Sequence, residues 1–418
     1  MGLFKDNFTL LKKASEPLYK TPKSVQQTIE IMKISECGIF EVTVGRYSKT
    51  YRFSDVNYAT RTENEQESFF QRYCKCLNSF DCTFKITVNN KNKDMELLKK
   101  DVMLSYEQDG FDKMRKSYNN IIEEKILEGR QGIEQERYIT ISIERKNFEE
   151  AKAQFTTIEN SLFKNFAELG SKLIPISGNE RLKILHDYYR LGREEEFDFD
   201  IKEGKKTGTD FRNDICNSKL KFYQDYYEDE SKVCRVLYIK KYPTYLSDRF
   251  FTELTFLPIH SITSVDVVPV PKDMTMRILQ KKYLGIESNI IKQQQTRNKN
   301  NDFSSEISYT TRRQKADIED IMNNVRENDE SLFFVGVTMV VMAENIEELD
   351  SICESVDSIA RGAGCSIDIC QYKQREALNT VLPIGVRQIE TMRTMLTQSL
   401  AVLMPFNIQE ICDKGGIY

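Results

Sequence analysis

The sequence has no tryptophan, only two histidines among its 418 residues, and no long apolar run. Because metal sites and proton relays commonly depend on histidine, residues as widely separated as His186 and His260 argue against either kind of site. We interpret each as a structural or surface side chain. The longest apolar run, Leu332–Ala343, is shorter than the roughly 20 residues of a membrane-spanning helix, so we expect a buried strand there.

Charge of one sign is also lacking. The chain has 60 Lys and Arg against 64 Asp and Glu, a formal net charge of −4. Proteins that coat nucleic acids are usually basic overall, so this balance argues against that class but leaves a local basic patch open. The start of the chain has several lysines without an apolar core, which predicts no signal peptide, and the basic stretch Lys5–Lys23 lacks the long apolar face of a stable membrane anchor.

Ten cysteines in a chain of this length are not the disulfide framework of a small secreted protein. Cys74, Cys76 and Cys82 form the only cluster, and a C-x-C spacing on a predicted helix supplies neither the usual zinc knuckle nor a fourth ligand. We therefore interpret them as structural thiols in a reducing compartment rather than as a metal site.

Known catalytic motifs are missing. Phe199 stands where a phosphate-binding loop ending at Gly204–Lys205 needs its first glycine, and Gly362-x-Gly364 is followed by Ile367 where a dinucleotide fingerprint needs its third. The acidic run Glu194–Asp200 could bind a cation, although such runs are more often solvated loops. The sequence therefore predicts no catalytic, cofactor-binding or metal-ligating residue.

The order of predicted elements repeats along the chain. Alternating apolar residues predict strands, and apolar residues at helical spacing predict helices. In the first half the strands are residues 51–56, 82–88, 138–143 and 172–176, and the helices are 65–80 and 148–169. In the second half the strands are residues 233–240, 261–270, 332–343 and 365–371, and the helices are 245–257 and 346–360.

This pattern predicts an α+β fold of two ferredoxin-like (βαβ-βαβ) units, each interrupted between its βαβ halves by a long charged helical insertion. The insertions are residues 95–132 and 273–328, the second with a break near 298–305. We expect five parts: an N-terminal segment (1–48), a first unit with its helical arm (49–190), an exposed charged connector (191–232), a second unit with its arm (233–374), and a helical connector (375–418).

Short segments spread over nearly the whole chain carry a family resemblance. They are residues 25–29 (VQQTI), 38–40 (GIF), 47–51 (YSKTY), 57–58 (NY), 77–81 (LNSFD), 138–141 (YITI), 238–243 (YIKKYP), 404–406 (MPF) and 415–418 (GGIY). Together they resemble the amino-terminal half of the conjugative-transfer ATPases of type IV secretion systems, the VirB-four family, in the form found on conjugative elements of Gram-positive bacteria. In that family the motor domain and its phosphate-binding loop follow shortly after the Gly-Gly pair.

The resemblance implies a non-catalytic docking and assembly domain of a DNA-transfer machine. It implies a cytoplasmic location against the membrane face, inner-membrane channel subunits as partners, homo-oligomerisation through the full-length ATPase, and no small-molecule substrate. ATP and Mg²⁺ would bind only a motor domain beyond this sequence. The helical arms are the surfaces expected to contact partner subunits.

Two other hypotheses remain open at this point. The first is a nucleic-acid-binding module that holds transferred DNA through arm residues such as Arg312, Arg313 and Lys315. The second is an enzyme with an unrecognised site, which would require polar residues clustered in one deep pocket.

Overall fold

The computed structural model describes residues 22–92, 103–107, 109–127, 133–216, 219–230, 232–243, 245–299, 309–327 and 330–406. These residues form a mixed α+β structure around one large sheet. The strands are β1 (Lys33–Ile34), β2 (Ile39–Thr43), β3 (Arg46–Phe53), β4 (Thr83–Asn92), β5 (Ile133–Glu144), β6 (Leu173–Pro175), β7 (Leu220–Phe222), β8 (Tyr227–Asp229), β9 (Lys232–Lys241), β10 (Ser261–Val270), β11 (Leu332–Ala343), β12 (Ser366–Ile369) and β13 (Arg393–Leu396).

Helices flank the sheet and project from it. They are α1 (Glu63–Asn78), α2 (Asp112–Leu127), α3 (Phe148–Leu169), α4 (Gly178–Tyr189), α5 (Ile201–Thr207), α6 (Arg212–Ile215), α7 (Arg249–Thr255), α8 (Lys272–Lys299), α9 (Tyr309–Glu327), α10 (Ile346–Gly362), α11 (Gln374–Val381) and α12 (Thr397–Ala401).

The sheet is continuous and antiparallel, in the order β1-β2-β3-β5-β4-β10-β11-β9-β8-β7. Short strands add to this path: β6 pairs with β3, β12 with β9, and β13 with β11. The first half of the chain thus contributes β6-β3-β5-β4, and the second half contributes β12-β9-β11-β10. The halves meet where β4 pairs with β10, from Phe84 opposite Val267 to Asn90 opposite Ser261.

The two faces of the sheet differ in chemistry. Because successive side chains of a strand point to opposite faces, Phe84, Ile86 and Val88 of β4 lie on one side and Lys85 and Thr87 on the other. The first face packs with α1, α3, α7 and α10 in one apolar core. The second face, which carries many polar side chains near its centre, is covered by α4, α11 and the segments beside them. Both faces are therefore buried.

Several sequence predictions are confirmed. Helix α3 has the predicted bounds. At its start the Asn147 side chain accepts a hydrogen bond from the Glu150 amide at 2.9 Å, and at its end Gly170 stops the helix with a φ of 79°. Strands β10 and β11 also match. The predicted second insertion is helical and divides into α8 and α9, while the predicted break lies partly outside the described residues.

Residues 191–232, predicted as an exposed charged connector, contain short helices and strands. This segment forms α5, α6, β7 and β8, and β8 extends the sheet beside β9. Ile215 and Tyr227 are fully buried. A few apolar side chains, spaced irregularly among the charged residues, pack in the core on the second face of the sheet. Because their spacing has no helix or strand period, the sequence pattern did not reveal these elements.

Strand β3 begins at Arg46 rather than near residue 51, so the expected boundary after residue 48 falls inside it, and β1 and β2 add strands from the N-terminal segment. The helical prediction for residues 375–418 also fails in part. Arg393–Leu396 is a strand because it pairs with β11. In the first insertion, predicted as helical over residues 95–132, the described residues 103–107 and 109–111 are not helical, and the helix begins at Asp112. Residues 407–418, and 95–102, 108 and 128–132 of that insertion, lie outside the described residues.

No helix within the described part of the chain combines the length and apolar character needed to cross a bilayer.

Because residues 191–232 contain both buried and exposed side chains, two substitutions there should differ in their effect on the free energy of unfolding. Ile215→Ala removes a fully buried side chain and should lower the free energy of unfolding by about 2–5 kcal/mol. Lys202→Ala, at an exposed position of the same segment, should change it by less than about 0.5 kcal/mol. Urea denaturation measures both, and equal effects would indicate that the segment is not part of the fold.

Candidate functional site

Residues 382–386, here called the strap, cross the polar face of the sheet just after α11. Each of the five strap carbonyl oxygens accepts a hydrogen bond from a side chain of the sheet or of α4, at 2.7 to 3.2 Å. The donors are Ser48 and Thr50 of β3, Lys85 of β4, Ser142 of β5 and Arg181 of α4. Side chains, rather than strand pairing, therefore hold this segment of backbone against the sheet.

A buried ion cluster lies at the junction of the two halves. Asp266 of β10 is directly opposite Lys85 of β4, with Oδ1 3.3 Å from Lys85 Nζ. Its other oxygen, Oδ2, is 2.9 Å from Nη1 of Arg387, which immediately follows the strap. All three side chains are less than a tenth exposed. Burial lowers the pKa of Lys85 to about 8, although Asp266 favours its charged form.

Two positions next to the strap and Arg387 leave no space for a side chain, and both are glycines. Gly385 has a φ of 85°, and a Cβ there would lie 2.6 Å from Ser142 Oγ. A Cβ on Gly336 of β11 would overlap the Arg387 guanidinium. The strap thus contacts strands of the first half, while Arg387 reaches β10 and β11 of the second.

The chain then returns to the core of the first half. The ring of Phe406 lies 5.7 Å from that of Phe53, 5.5 Å from Phe69 and 5.8 Å from Tyr73. The Pro405 carbonyl accepts a hydrogen bond from Arg137 Nε at 2.7 Å. Pro405 and Phe406, the last described residues, are therefore anchored beneath α1.

Helix α2 and residues 103–111 before it form the first helical arm, arm 1. Large apolar side chains recur at the end of that segment and along α2, with the alternating three- and four-residue spacing of a coiled coil. They are Phe111 (60% exposed), Met114 (70%), Tyr118 (43%) and Ile121 (52%), here called the arm 1 stripe. The Asn119 side chain binds both backbone groups of Leu104, at 2.9 and 3.0 Å, and so holds the preceding segment along the helix.

Helices α8 and α9 form the second arm, arm 2, and they pack against each other as a hairpin. Each of the two helices carries buried or half-buried residues at the alternating three- and four-residue spacing of a coiled coil. They are Leu279, Tyr283, Ile286 and Ile290 on α8, and Lys315, Ile318, Met322 and Val325 on α9. Lys315 belongs to this contact, with Nζ 3.0 Å from Glu287 Oε1 and 4.9 Å from the centre of the Tyr283 ring.

That position of Lys315 bears on the nucleic-acid hypothesis. Of the three basic residues that it names, Lys315 is engaged inside the hairpin, whereas Arg312 and Arg313 are exposed. Sheets that bind RNA commonly stack bases on exposed aromatic side chains. On β11, Phe333 is buried in the core and only its neighbour Phe334 is partly exposed.

Both histidines are buried and lie around one ion network. Lys91 contacts Glu136 at 2.8 Å and Asp187 at 3.1 Å, and His186 Nδ1 is 3.5 Å from Asp187 Oδ1. His260 directly precedes β10, at the end where that strand pairs with the part of β4 that carries Lys91. Burial, with smaller contributions from Lys91 and Lys232, lowers the pKa of His260 to about 4. Among the described residues, neither of its ring nitrogens has a hydrogen-bond partner.

The other candidate residues have structural surroundings. Burial raises the pKa of Cys74, Cys76 and Cys82 to about 12, so these thiols stay protonated. Asp200, the last residue of the acidic run, caps α5 by accepting from the amides of residues 202 and 203. Among the described residues, no group of three or more His, Cys, Asp or Glu is arranged to hold a metal ion.

Two hollows in the described part of the chain do not resemble an active site. One is an apolar void of about 10 Å³ beside Phe406, and the other is an open depression of about 500 Å³ on the outer surface of α1. Neither is both enclosed and polar, as a typical small-molecule site would be.

Comparison with known proteins gives no family assignment. No family model matches this chain, and no curated protein matches it significantly. The resemblance to the secretion ATPases therefore stays a prediction.

Sequence reasoning missed the strap and its donors. The available signal was the run of small polar residues on alternate positions of neighbouring strands, such as Ser48 and Thr50 on β3 and Thr140 and Ser142 on β5. Such alternation is typical of a strand with one face in water. Here that face is buried, and its hydroxyl groups bind the strap.

The surroundings of His260 predict an acid-sensitive contribution to stability. A histidine whose pKa falls from about 6.5 to about 4 on folding contributes stability that is present above pH 6.5 and is lost as the pH falls toward 4. This shift corresponds to about 3–4 kcal/mol. The free energy of unfolding, measured by urea denaturation across this pH range, should change less with pH in His260→Gln than in the wild type. The same pH dependence in both proteins would contradict the lowered pKa of His260.

Proposed function

We propose that this chain is the non-catalytic docking and assembly half of a conjugative type IV secretion ATPase. In this proposal it contributes to DNA transfer through protein–protein contacts at the cytoplasmic face of the membrane. The observation that carries the proposal is the arm 1 stripe, in which Phe111 and three large apolar side chains of α2 are each more than 40% exposed. Contiguous apolar surface of this kind is typical of a protein-interaction site.

We further propose that the two halves are ferredoxin-like units. In each half the strands, numbered in chain order, lie side by side as fourth, first, third and second, namely β6-β3-β5-β4 and β12-β9-β11-β10. In each half the apolar-side helices follow the first and third strands, as that βαβ-βαβ pattern requires. Each arm stands between the second and third strands, where an insertion leaves the pattern intact.

The strap and the Phe406 anchor suit such a role. A docking domain that transmits movement to or from a following domain needs a firm attachment at its exit. Residues 382–406 are bound to the sheet at the strap, to Asp266 through Arg387, and to the first-half core through Phe406. ATP and Mg²⁺ would act in a motor domain, to which these residues would form the connection.

ATP turnover tests the non-catalytic part of the proposal. Hydrolysis by the 418-residue chain should fall toward background as purification removes contaminating ATPases, and labelled nucleotide should not bind saturably. Specific activity that stays constant through successive purification steps, together with saturable binding, would contradict the proposal.

A further inference from the structure

The charges of arm 2 are divided along its length. Beyond the contact between Lys315 and Glu287, the hairpin continues away from the sheet as residues 288–299 of α8 and 309–314 of α9, here called the distal end. The distal end contains five basic residues and no acidic residue, whereas the remainder of the two helices contains six of each. Mixed signs are typical of a helix surface that is only solvated, so the distal end differs from the rest of its own hairpin.

The basic residues of the distal end have no acidic partners that account for them. They are Lys292, Arg297, Lys299, Arg312 and Arg313. The side chains of Lys292, Arg312 and Arg313 are exposed, and within the described part of the chain none of the three forms an ion pair. Asp317, one turn after Arg313, is the nearest acidic residue along α9. The sequence between the helices, residues 300–308, adds two acidic residues, so residues 288–314 have a formal charge of +3 in a chain of net charge −4.

The two arginines stand where helix α9 itself does not favour them. The amino end of a helix carries a partial positive charge, so acidic residues stabilise the first turn and basic residues destabilise it. Helix α9 has no acidic residue in its first turn, which ends at Arg312, and Arg313 follows directly. The stability of the helix therefore does not account for this pair, whereas a negatively charged partner would.

The uncharged residues of the distal end narrow the class of partner. Ten of its eighteen residues are Ser, Thr, Asn or Gln, and among its described side chains Ile291 is the only exposed large apolar one. Interfaces with nucleic acid are more polar and much more positive than interfaces with protein, which have an apolar core. A helix that binds a membrane surface also needs an apolar face. The composition of the distal end therefore favours nucleic acid over a protein or a lipid surface.

The width of the hairpin indicates which part of a nucleic acid it meets. A helix is about 10 Å across and packed helices lie about 8–10 Å apart, so two helices side by side are about 20 Å wide. The major groove of DNA is only about 12 Å wide. The distal end therefore meets phosphates rather than base edges, and phosphate contacts do not read the base sequence.

We propose that the distal end of arm 2 binds the phosphate backbone of nucleic acid through Lys292, Arg312 and Arg313, without sequence preference. The guanidinium group of arginine binds phosphate through two parallel hydrogen bonds, and neighbouring amide side chains donate further ones. This contact goes beyond the docking role proposed above. Its test uses neither nucleotide hydrolysis nor a partner subunit, so the two proposals can fail separately.

The position of arm 2 keeps this contact apart from the arm 1 stripe. Arm 1 follows β4 and arm 2 follows β10, and these strands are antiparallel neighbours with Ser261 opposite Asn90 and Val267 opposite Phe84. The carboxyl ends of the two strands, from which the arms leave, therefore lie at opposite ends of the sheet. A nucleic acid at the distal end leaves the arm 1 stripe open to a protein.

Fluorescence anisotropy on the full chain tests the contact, with labelled single-stranded DNA, its duplex and single-stranded RNA as probes. The wild type should bind at least one of these probes with a dissociation constant of about 1–100 μM, and two strands of different sequence should bind alike. Raising the salt concentration from about 50 to about 200 mM should weaken binding at least about tenfold, because each phosphate contact releases counterions.

A triple variant locates the contact. Lys292→Gln/Arg312→Gln/Arg313→Gln should bind at least about tenfold more weakly than the wild type and should lose part of the salt dependence. The three positions are exposed and glutamine is a good helix former, so circular dichroism and thermal unfolding should not change.

A second triple variant with the same change of charge is the matched control. Arg277→Gln/Lys281→Gln/Arg326→Gln removes three exposed basic side chains from the rest of the same two helices. It should bind within about twofold of the wild type if the distal end, rather than overall charge, makes the contact.

Three outcomes would overturn the proposal. They are a wild type that binds none of the probes, binding that salt does not weaken, and equal losses of affinity in the two triple variants. Vesicles that contain phosphatidylserine test the alternative partner. A wild type that binds these vesicles but no nucleic acid would show a lipid contact instead, and would also overturn the proposal.

Discussion

A carboxylate buried between two cations is costly to desolvate, and it persists only where its partners are held in place. Asp266 lies in this position at the centre of the sheet, bound to Lys85 across the β4–β10 junction and to Arg387 after the strap. The three groups come from the first half, the second half and the C-terminal segment. Removing one partner of such a cluster leaves an uncompensated buried charge, so the cluster constrains all three parts to one arrangement.

The strap extends this constraint over the polar face of the sheet, and Phe406 extends it to the apolar face. The C-terminal segment therefore contacts both halves before it ends in the first-half core.

Much of the α+β framework could be predicted from sequence, because α3, β10 and β11 carry regular apolar periods and recognisable caps. The strap could not, because its hydrogen bonds join residues more than 200 positions apart and leave no local pattern. The folded part of residues 191–232 was missed because its few apolar anchors stand among charges. Both arms were predicted as contact surfaces, but the opposite directions of arm 1 and arm 2 follow only from the β4–β10 pairing.

The central claim is that the ion cluster and the strap make the two halves one cooperative unit. Native-state hydrogen exchange, followed amide by amide on β5 in the first half and on β11 in the second, tests it most directly. We predict that the slowest amides of both strands exchange with the same opening free energy, and that Asp266→Asn lowers both values together. Different opening free energies in the wild type, or a decrease confined to one half, would contradict the account.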